Sequence, residues 1–229
     1  MAALIHRCPR QKTAGTDNTG WPLRQSSERF TIMNVKNMPR IVLASASPRR
    51  IELMRAWGFS FEVRPSNISE ETILRRPSAV VKDLAARKAA AVVPAVTNGI
   101  VLGADTIVVL NGEQIGKPKD PADAARILRA LSGSYHAVYT GIALIDAATG
   151  VRIVDYDVAR VRMRRFDPQE LSALAGKHLD KAGAYAVQET EDAFVDHIDG
   201  DYFTVVGLPR EKLFASLERL ASAIRGHAV

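Results

Sequence analysis

The sequence predicts an α/β protein organised around a mixed β-sheet. Apolar residues recur at three- and four-residue spacing in several segments, which is typical of amphipathic helices. Shorter apolar or alternating runs lie between them and predict strands. Because the two kinds of segment follow one another without a strict βαβ repeat, we expect a sheet with both parallel and antiparallel neighbours. The 47% apolar and 24% charged residues are those of an ordinary globular chain.

The first half of the predicted domain alternates strands with helices. Residues 41–44 form an apolar strand, after which Ser47 and Pro48 suit the first positions of a helix and Gly58 suits its end. Further along, Asn111-Gly112 is the best hairpin signal of the chain. The other predicted elements of this half are strands at 59–63 and Ile100–Leu110, a helix at 78–93, and a helix that Asp120 caps and that ends near Leu131.

The second half is richer in strands. Two long strands, Tyr135–Asp146 and 151–164, are joined through Thr149-Gly150, and Asp167-Pro168 opens a helix. The remaining predicted elements are short strands at 185–187, 194–198 and Tyr202–Val206, and a C-terminal helix from Pro209 to about residue 224.

The first 38 residues differ in composition from the rest. They are rich in polar residues and lack sustained periodicity, so we expect a disordered or loosely attached leader at 1–38 and one domain at 39–229. Met33 or Met38 could be the true start. A transit peptide is the alternative, since the leader is rich in arginine, but no clear amphipathic helix supports it.

Composition and charge exclude several classes of protein. No run of about 18 apolar residues is present, so no membrane-spanning segment is expected. Cys8 is the single cysteine, which favours a reducing, cytoplasmic location. The five histidines lack metal-binding spacing. The net charge of +6 resides mostly in residues 1–40, which hold seven basic and two acidic residues. The near-neutral remainder argues against a nucleic-acid-binding face.

The first candidate site is the segment from Ser45 to Arg50, at a strand-to-helix junction. A helix start offers unpaired N–H groups and partial positive charge, and serine hydroxyls with two guanidiniums would complete a cradle for phosphate. A capped surface helix with two solvated arginines is the structural alternative. Arginines in a first turn oppose the helix dipole, which favours the phosphate interpretation.

The second candidate is Asp105, which interrupts an apolar strand. A buried carboxylate costs several kcal/mol unless it is paired or binds a cation, so Asp105 could hold a divalent metal or accept a proton from water. Alternatively it is hydrogen-bonded to a loop at a strand end.

Four weaker candidates lie elsewhere in the chain. Lys117, restrained by Pro118, could neutralise a leaving phosphate, and Lys88 stands on an alanine-rich helix. Glu70 could share a metal with Asp105, and the amide of Gln188 could contact a base edge. Each of them could equally be an ordinary surface residue.

The chain contains, in this order, the segments LASASPRR, DLAARKA, GADTIV, IGKP, LRALSGSYHAVYTG, KAGAYAVQ and VVGLP. Together they resemble the Maf-like nucleotide pyrophosphatases, from about residue 39 to residue 220. The resemblance implies an elongated, two-lobed α/β fold with a central nucleotide-binding groove. It implies hydrolysis of a nucleoside triphosphate to the monophosphate and diphosphate, with a divalent cation, Mg²⁺ or Mn²⁺, as cofactor. The charge distribution and the lack of a long apolar run leave no nucleic-acid or membrane partner expected, and a homodimer is possible.

The resemblance also implies roles for single residues. Asp105 would be the proton acceptor and, with Glu70, would bind the metal. Lys88 and Lys117 would be catalytic. The substrate would contact Ser47, Arg49, Arg50, Thr106 and Gln188, of which Arg49, Thr106 and Gln188 bear on substrate choice.

Arg49, Arg50 and Gln188 resemble the dTTP/UTP branch of the family more than its 7-methyl-GTP branch. Two positions depart from the family pattern, which usually shows Asp-Glu at Ser69-Glu70 and Gln-Gly at Gln188-Glu189. A 7-methyl-GTP enzyme and a catalytically silent nucleotide-binding regulator are therefore the alternatives.

Overall fold

The computed structural model describes residues 39–175, 177–179, 182–185 and 194–227. Within these ranges lie seven strands, all in one sheet, and six α-helices. The strands are β1 (Ile41–Leu43), β2 (Phe61–Val63), β3 (Ile100–Leu110), β4 (Glu113–Ile115), β5 (Tyr135–Asp146), β6 (Arg152–Met163) and β7 (Val195–Asp199). The helices are α1 (Pro48–Ala56), α2 (Pro77–Val92), α3 (Pro121–Leu131), α4 (Pro168–Leu174), α5 (Tyr202–Val206) and α6 (Arg210–His227).

The sheet is mixed, as the sequence predicts. Its strand order is β2-β1-β3-β5-β6-β7, and the short strand β4 pairs with β3 in addition to these six. β1 is parallel to β2 and β3, to which it is connected through α1 and α2, since parallel neighbours need a crossover. The other pairs are antiparallel. The β3–β4 turn has positive φ at Asn111 (51°) and Gly112 (86°), which confirms the predicted hairpin.

One edge of β3 is open in its middle. β1 pairs only with Ile100–Leu102, and β4 pairs only with residues 108–110 of β3. Between them, no strand of the described chain lies beside residues 103–107 on this edge. The chain turns from β1 into α1 there, so the side chains of Asp105 and Thr106 are reachable from outside the sheet.

Two glycines bring α2 unusually close to the sheet. A Cβ atom on Gly103 of β3 would lie 2.2 Å from the Ala85 carbonyl oxygen, and one on Gly141 of β5 would lie 2.2 Å from that of Val81. Any side chain at either position would push α2 outward. Gly141 pairs directly with Asp105, so the close approach occurs beside that carboxylate.

The opposite face of the sheet is covered by α5 and α6, which pack on β5 and β6. An apolar cluster joins Val108, Val138, Ala159, Val161 and Val205 on this side. A second cluster packs α3 and α4 against Met163 and Phe194. No helix within the described ranges is long and apolar enough to cross a membrane.

The predicted strand at Tyr202–Val206 is wrong: the segment is α5. The Asp201 carboxylate accepts a hydrogen bond from Phe203 N at 3.0 Å and begins the helix. Gly207, with φ 114°, ends it in the left-handed region. A capping residue and a terminating glycine six positions apart outweigh the strand preference of a short β-branched run. The sequence also predicts a strand at 185–187. Tyr185 has no regular secondary structure, and the other two residues lie outside the described residues. The predicted leader also lies outside them.

Candidate active site

An open pocket of about 440 Å³ lies at the open edge of β3. The loop after β1, the start of α1, the middle of α2 and the segment around Lys117 contribute its walls. Gln188 lies outside the described residues. The other eight residues proposed from the sequence all line this pocket: Ser47, Arg49, Arg50, Glu70, Lys88, Asp105, Thr106 and Lys117.

Lys88 connects the two acidic residues of the site. Its Nζ donates hydrogen bonds of 2.7 Å to Asp105 Oδ1 and to Glu70 Oε1. Asp105 is only 5% exposed, and the lysine supplies the charge partner that a buried carboxylate needs. The pKa of Glu70 lies below its ordinary value, mainly because of the hydrogen bond from Lys88. Burial acts to raise this pKa, and the positive charges of Lys117 and Arg50 help to lower it.

Arg50 is buried and held by three hydrogen bonds. Its Nε donates to the Gly207 carbonyl (2.8 Å), Nη1 to Ser45 Oγ (3.0 Å) and Nη2 to Thr106 Oγ1 (3.1 Å). Burial lowers the pKa of Arg50 to about 10, with Asp105 opposing that effect and Arg49 adding to it. The side chain remains a cation at neutral pH. It joins α1 to β3 and to the segment after α5, so the alternative of two solvated arginines is wrong for Arg50.

The start of α1 faces the same pocket. Ser47 occupies the predicted N-cap position and Pro48 follows it, but the Ser47 hydroxyl makes no capping hydrogen bond. The N–H groups of Arg49 and Arg50 precede the first helical hydrogen bond, from Ile51 N to Ser47 O. Backbone donors at such a position attract anions, and a hydroxyl not engaged in capping can contribute to the same end.

Sequence reasoning missed the wall formed by Tyr185. Its hydroxyl lies 2.7 Å from His136 Nε2, and the residue lines the pocket together with Val108 and Val138. Burial lowers the pKa of His136 to about 4, so the ring is neutral. Burial raises the pKa of Tyr185, and Arg49 is near enough to oppose this. Nothing in the local sequence of either residue indicated this pair, because 49 positions separate them.

Comparison with known proteins gives consistent matches across most of the chain. The family model described as "Maf-like protein" matches residues 40–220. A relative named dTTP/UTP pyrophosphatase from Moorella thermoacetica is 47% identical over 176 residues, which are 75% of this chain and 90% of the relative. One of the same name from Desulforamulus reducens is 45% identical over 183 residues, covering 79% of this chain and 96% of the relative.

A third relative of that name, from Elusimicrobium minutum, is 41% identical over 172 residues, covering 75% of this chain and 94% of its own length. Among solved structures, a nucleoside-triphosphatase (dITP/XTP pyrophosphatase) from Mycobacterium abscessus has a TM-score of 0.40 at 18% identity. That match covers 81% of this chain and 98% of the other.

Proposed function

This chain belongs to the Maf-like family, and from that premise and the pocket geometry we propose that it is a nucleoside triphosphate pyrophosphatase acting on dTTP and UTP. The reaction cleaves the bond between the α and β phosphates and gives the monophosphate and diphosphate. The observation that carries the proposal is the juxtaposition, in one pocket, of the Lys88-bound Asp105 with the cationic start of α1. The first can activate water and the second can bind phosphate.

In the proposed mechanism, Asp105 orients a water molecule for attack on the α-phosphorus and takes its proton. The α–β bridging oxygen leaves with the diphosphate. Negative charge that develops on the phosphate oxygens is stabilised by Arg50, Lys88 and Lys117, and by the backbone donors of α1. Arg50 has five N–H groups, of which three bond the protein. One N–H on each terminal nitrogen therefore remains for phosphate.

The two carboxylates fit a divalent cation. Lys88 occupies one oxygen of each, and no described residue donates to the other oxygens, Asp105 Oδ2 and Glu70 Oε2. Two carboxylate oxygens are a donor set suited to Mg²⁺ or Mn²⁺, which usually keep several waters and bind substrate phosphates as well. The described residues contain no group of three His, Cys, Asp or Glu that could hold a metal, so we propose that the phosphates complete the coordination. A bound cation would acidify the attacking water and offset phosphate charge.

We propose that the apolar side of the pocket receives the base. Val108, Val138 and the ring of Tyr185 line it, and the Tyr185 hydroxyl is occupied by His136. A wall of apolar side chains suits the face of a pyrimidine ring. Arg49 at the same wall and Gln188, by resemblance, would select thymine or uracil, whose O4 and N3–H match the donor and acceptor of an amide.

The decisive experiment measures diphosphate release from a panel of nucleoside triphosphates with Mg²⁺ or Mn²⁺. We expect kcat/KM for dTTP and UTP to exceed those for ATP, GTP and 7-methyl-GTP, by up to about 10⁴ where a buried polar pairing is lost. Equal or faster hydrolysis of 7-methyl-GTP would overturn the assignment of dTTP and UTP as substrates, but not the proposed pyrophosphatase reaction. No release from any triphosphate would overturn the reaction and indicate a nucleotide-binding regulator.

Asp105→Asn supplies the internal control for that panel. The change keeps size and an acceptor for Lys88 but removes the base, so turnover should fall more than about a hundredfold in a folded protein. Asp146→Asn is the matched substitution, because Asp146 is also buried on a strand, at 7% exposure. Among the described residues, its side chain bonds only Thr149 of the following turn. It should leave turnover unchanged.

We further propose the cytoplasm as the place of action, because a single cysteine, Cys8, is typical of a reducing compartment. We propose no nucleic-acid partner, since the domain after residue 40 is nearly neutral.

A further inference from the structure

A chain of three side-chain hydrogen-bonding groups runs inward from the pocket to the backbone of α5. Arg50 Nη2 donates to Thr106 Oγ1 at 3.1 Å, and Thr106 Oγ1 lies 3.0 Å from Thr140 Oγ1. Thr140 Oγ1 then donates to the backbone carbonyl of Thr204 at 2.7 Å. Thr140 has no exposed surface, so water cannot replace any partner at the inner end.

The chemistry of the two ends fixes the direction of every proton in this chain. A carbonyl only accepts, so the single hydroxyl proton of Thr140 is committed to residue 204. Toward Thr106, Thr140 can therefore act only as a hydrogen-bond acceptor. The single hydroxyl proton of Thr106 is then used in its hydrogen bond to Thr140. A guanidinium only donates, so the Thr106 oxygen accepts from Arg50. No other assignment makes all three hydrogen bonds.

We infer that Thr140 is a positioning residue, which holds Thr106 as an acceptor for Arg50 and leaves Thr106 without a proton to offer the substrate. This inference rests on the proposed function, in which Arg50 binds phosphate. Thr106 then influences the substrate through the guanidinium: it fixes the plane of Arg50 and thereby aims the two remaining N–H groups. The Gly207 carbonyl and Ser45 hold the same group from other sides.

Substitution of Thr140 by valine preserves shape and removes only the hydroxyl. The Thr106 proton then loses its acceptor and can turn toward the pocket or toward Arg50, which disturbs the guanidinium. Thr204→Val is the matched control. Thr204 is equally buried, but its hydroxyl donates to Asp157 Oδ2 at 2.6 Å, and the backbone carbonyl that Thr140 contacts is unaffected. Thr140→Ser restores the hydroxyl.

The test compares these three variants in two assays. In dTTP hydrolysis, kcat/KM of Thr140→Val should fall about tenfold, the order expected for one buried neutral hydrogen bond. Thr140→Ser and Thr204→Val should stay within about twofold of the wild type. Thr106→Val combined with Thr140→Val should be no slower than Thr106→Val alone, because both act on the same guanidinium.

The second assay needs no nucleotide. Hydrogen exchange of the Arg50 Nε–H, followed by NMR and assigned by its loss in Arg50→Lys, should accelerate in Thr140→Val and remain slow in Thr140→Ser and Thr204→Val. Unchanged exchange in Thr140→Val, or equal acceleration in Thr204→Val, would overturn the inference. A wild type that hydrolyses no triphosphate would overturn the proposed function instead, and the exchange result would still decide the role of Thr140.

Discussion

The ammonium group of Lys88 lies 2.7 Å from Asp105 Oδ1, with the side chains only 12% and 8% exposed. α2 supplies the lysine and β3 the carboxylate. The contact depends on Gly103 and Gly141, since a Cβ atom at either would collide with the α2 backbone. Removal of one partner from such a buried pair leaves the other charge uncompensated, which costs more than the pair itself contributes.

Lys88→Met should therefore destabilise the fold by about 3 kcal/mol and abolish dTTP turnover. The double variant Lys88→Met, Asp105→Asn should recover most of that stability without recovering turnover, because it removes both charges. Urea unfolding measures the free energy, and diphosphate release measures turnover. Lys82→Met, on the same helix with its ammonium over the Tyr156 ring at 5.5 Å, is the matched control. If the double variant were less stable than Lys88→Met, the charge argument would be wrong.

Arg87→Ala should weaken binding of the divalent cation, because Glu70 loses the contacts that hold its backbone. The Arg87 guanidinium donates to the backbone carbonyls on both sides of that residue, to Ser69 O at 2.6 Å and to Glu71 O at 3.0 Å. We expect the apparent affinity for Mn²⁺ to fall about tenfold, as is common when a group that orients a ligand is removed.

Titration calorimetry with Mn²⁺ on nucleotide-free protein checks the affinity independently of turnover. Arg126→Ala is the control, since Arg126 is an exposed helix arginine whose side chain bonds, within the described ranges, only that of Asp123. An unchanged affinity in Arg87→Ala would show that Glu70 does not need this contact.

Asp201→Asn should stabilise the protein at pH 8 and not at pH 4. Burial raises the pKa of Asp201 to about 6, although the N–H groups of Phe203 and Arg210 lower it; Asp157 raises it further. A carboxyl group whose pKa is raised by folding binds its proton more tightly in the folded state. The stability it contributes is therefore present below about pH 4 and is lost as the pH rises through 6.

The neutral asparagine escapes this loss and keeps an acceptor for the start of α5. The expected gain at pH 8 is on the order of 1 kcal/mol, since partial exposure of Asp201 reduces the full effect of the shift. Thermal melting between pH 4 and 8 measures it, with Asp199→Asn, at an exposed position nearby, as control. A gain that is independent of pH would contradict the assignment to the carboxyl charge.

Deletion of residues 1–38 should leave melting temperature and turnover unchanged. The polar composition and the concentration of net charge in this segment motivate the prediction. Thermal melting and diphosphate release from dTTP, compared between the full chain and the deletion, check it. A large loss of either would assign the leader a structural or catalytic part.

Much of the secondary structure was determined by the sequence alone, because its signals are local. Asp120 and Asp167 cap α3 and α4 as predicted, since a side chain reaches the N–H two or three residues away whatever the rest of the chain does. The turn at Asn111-Gly112 likewise needed only two residues that tolerate positive φ. The mixed sheet followed from the order of such elements. The prediction of a strand at Tyr202–Val206 is wrong because the strand preference of these residues is weaker than the helix signals on either side, the Asp201 cap and the terminating Gly207.

The contacts inside the pocket were decided by the tertiary structure. Arg50 donates to the carbonyl of Gly207, 157 positions away. Lys88 contacts Asp105 only because two glycines on neighbouring strands let α2 approach the sheet closely. The sequence named these residues as candidates, since their charge in those settings needed explanation. It could not pair them, because a hydrogen bond between distant segments depends on which strands become neighbours in the sheet. The periodicity of each single segment does not specify that order.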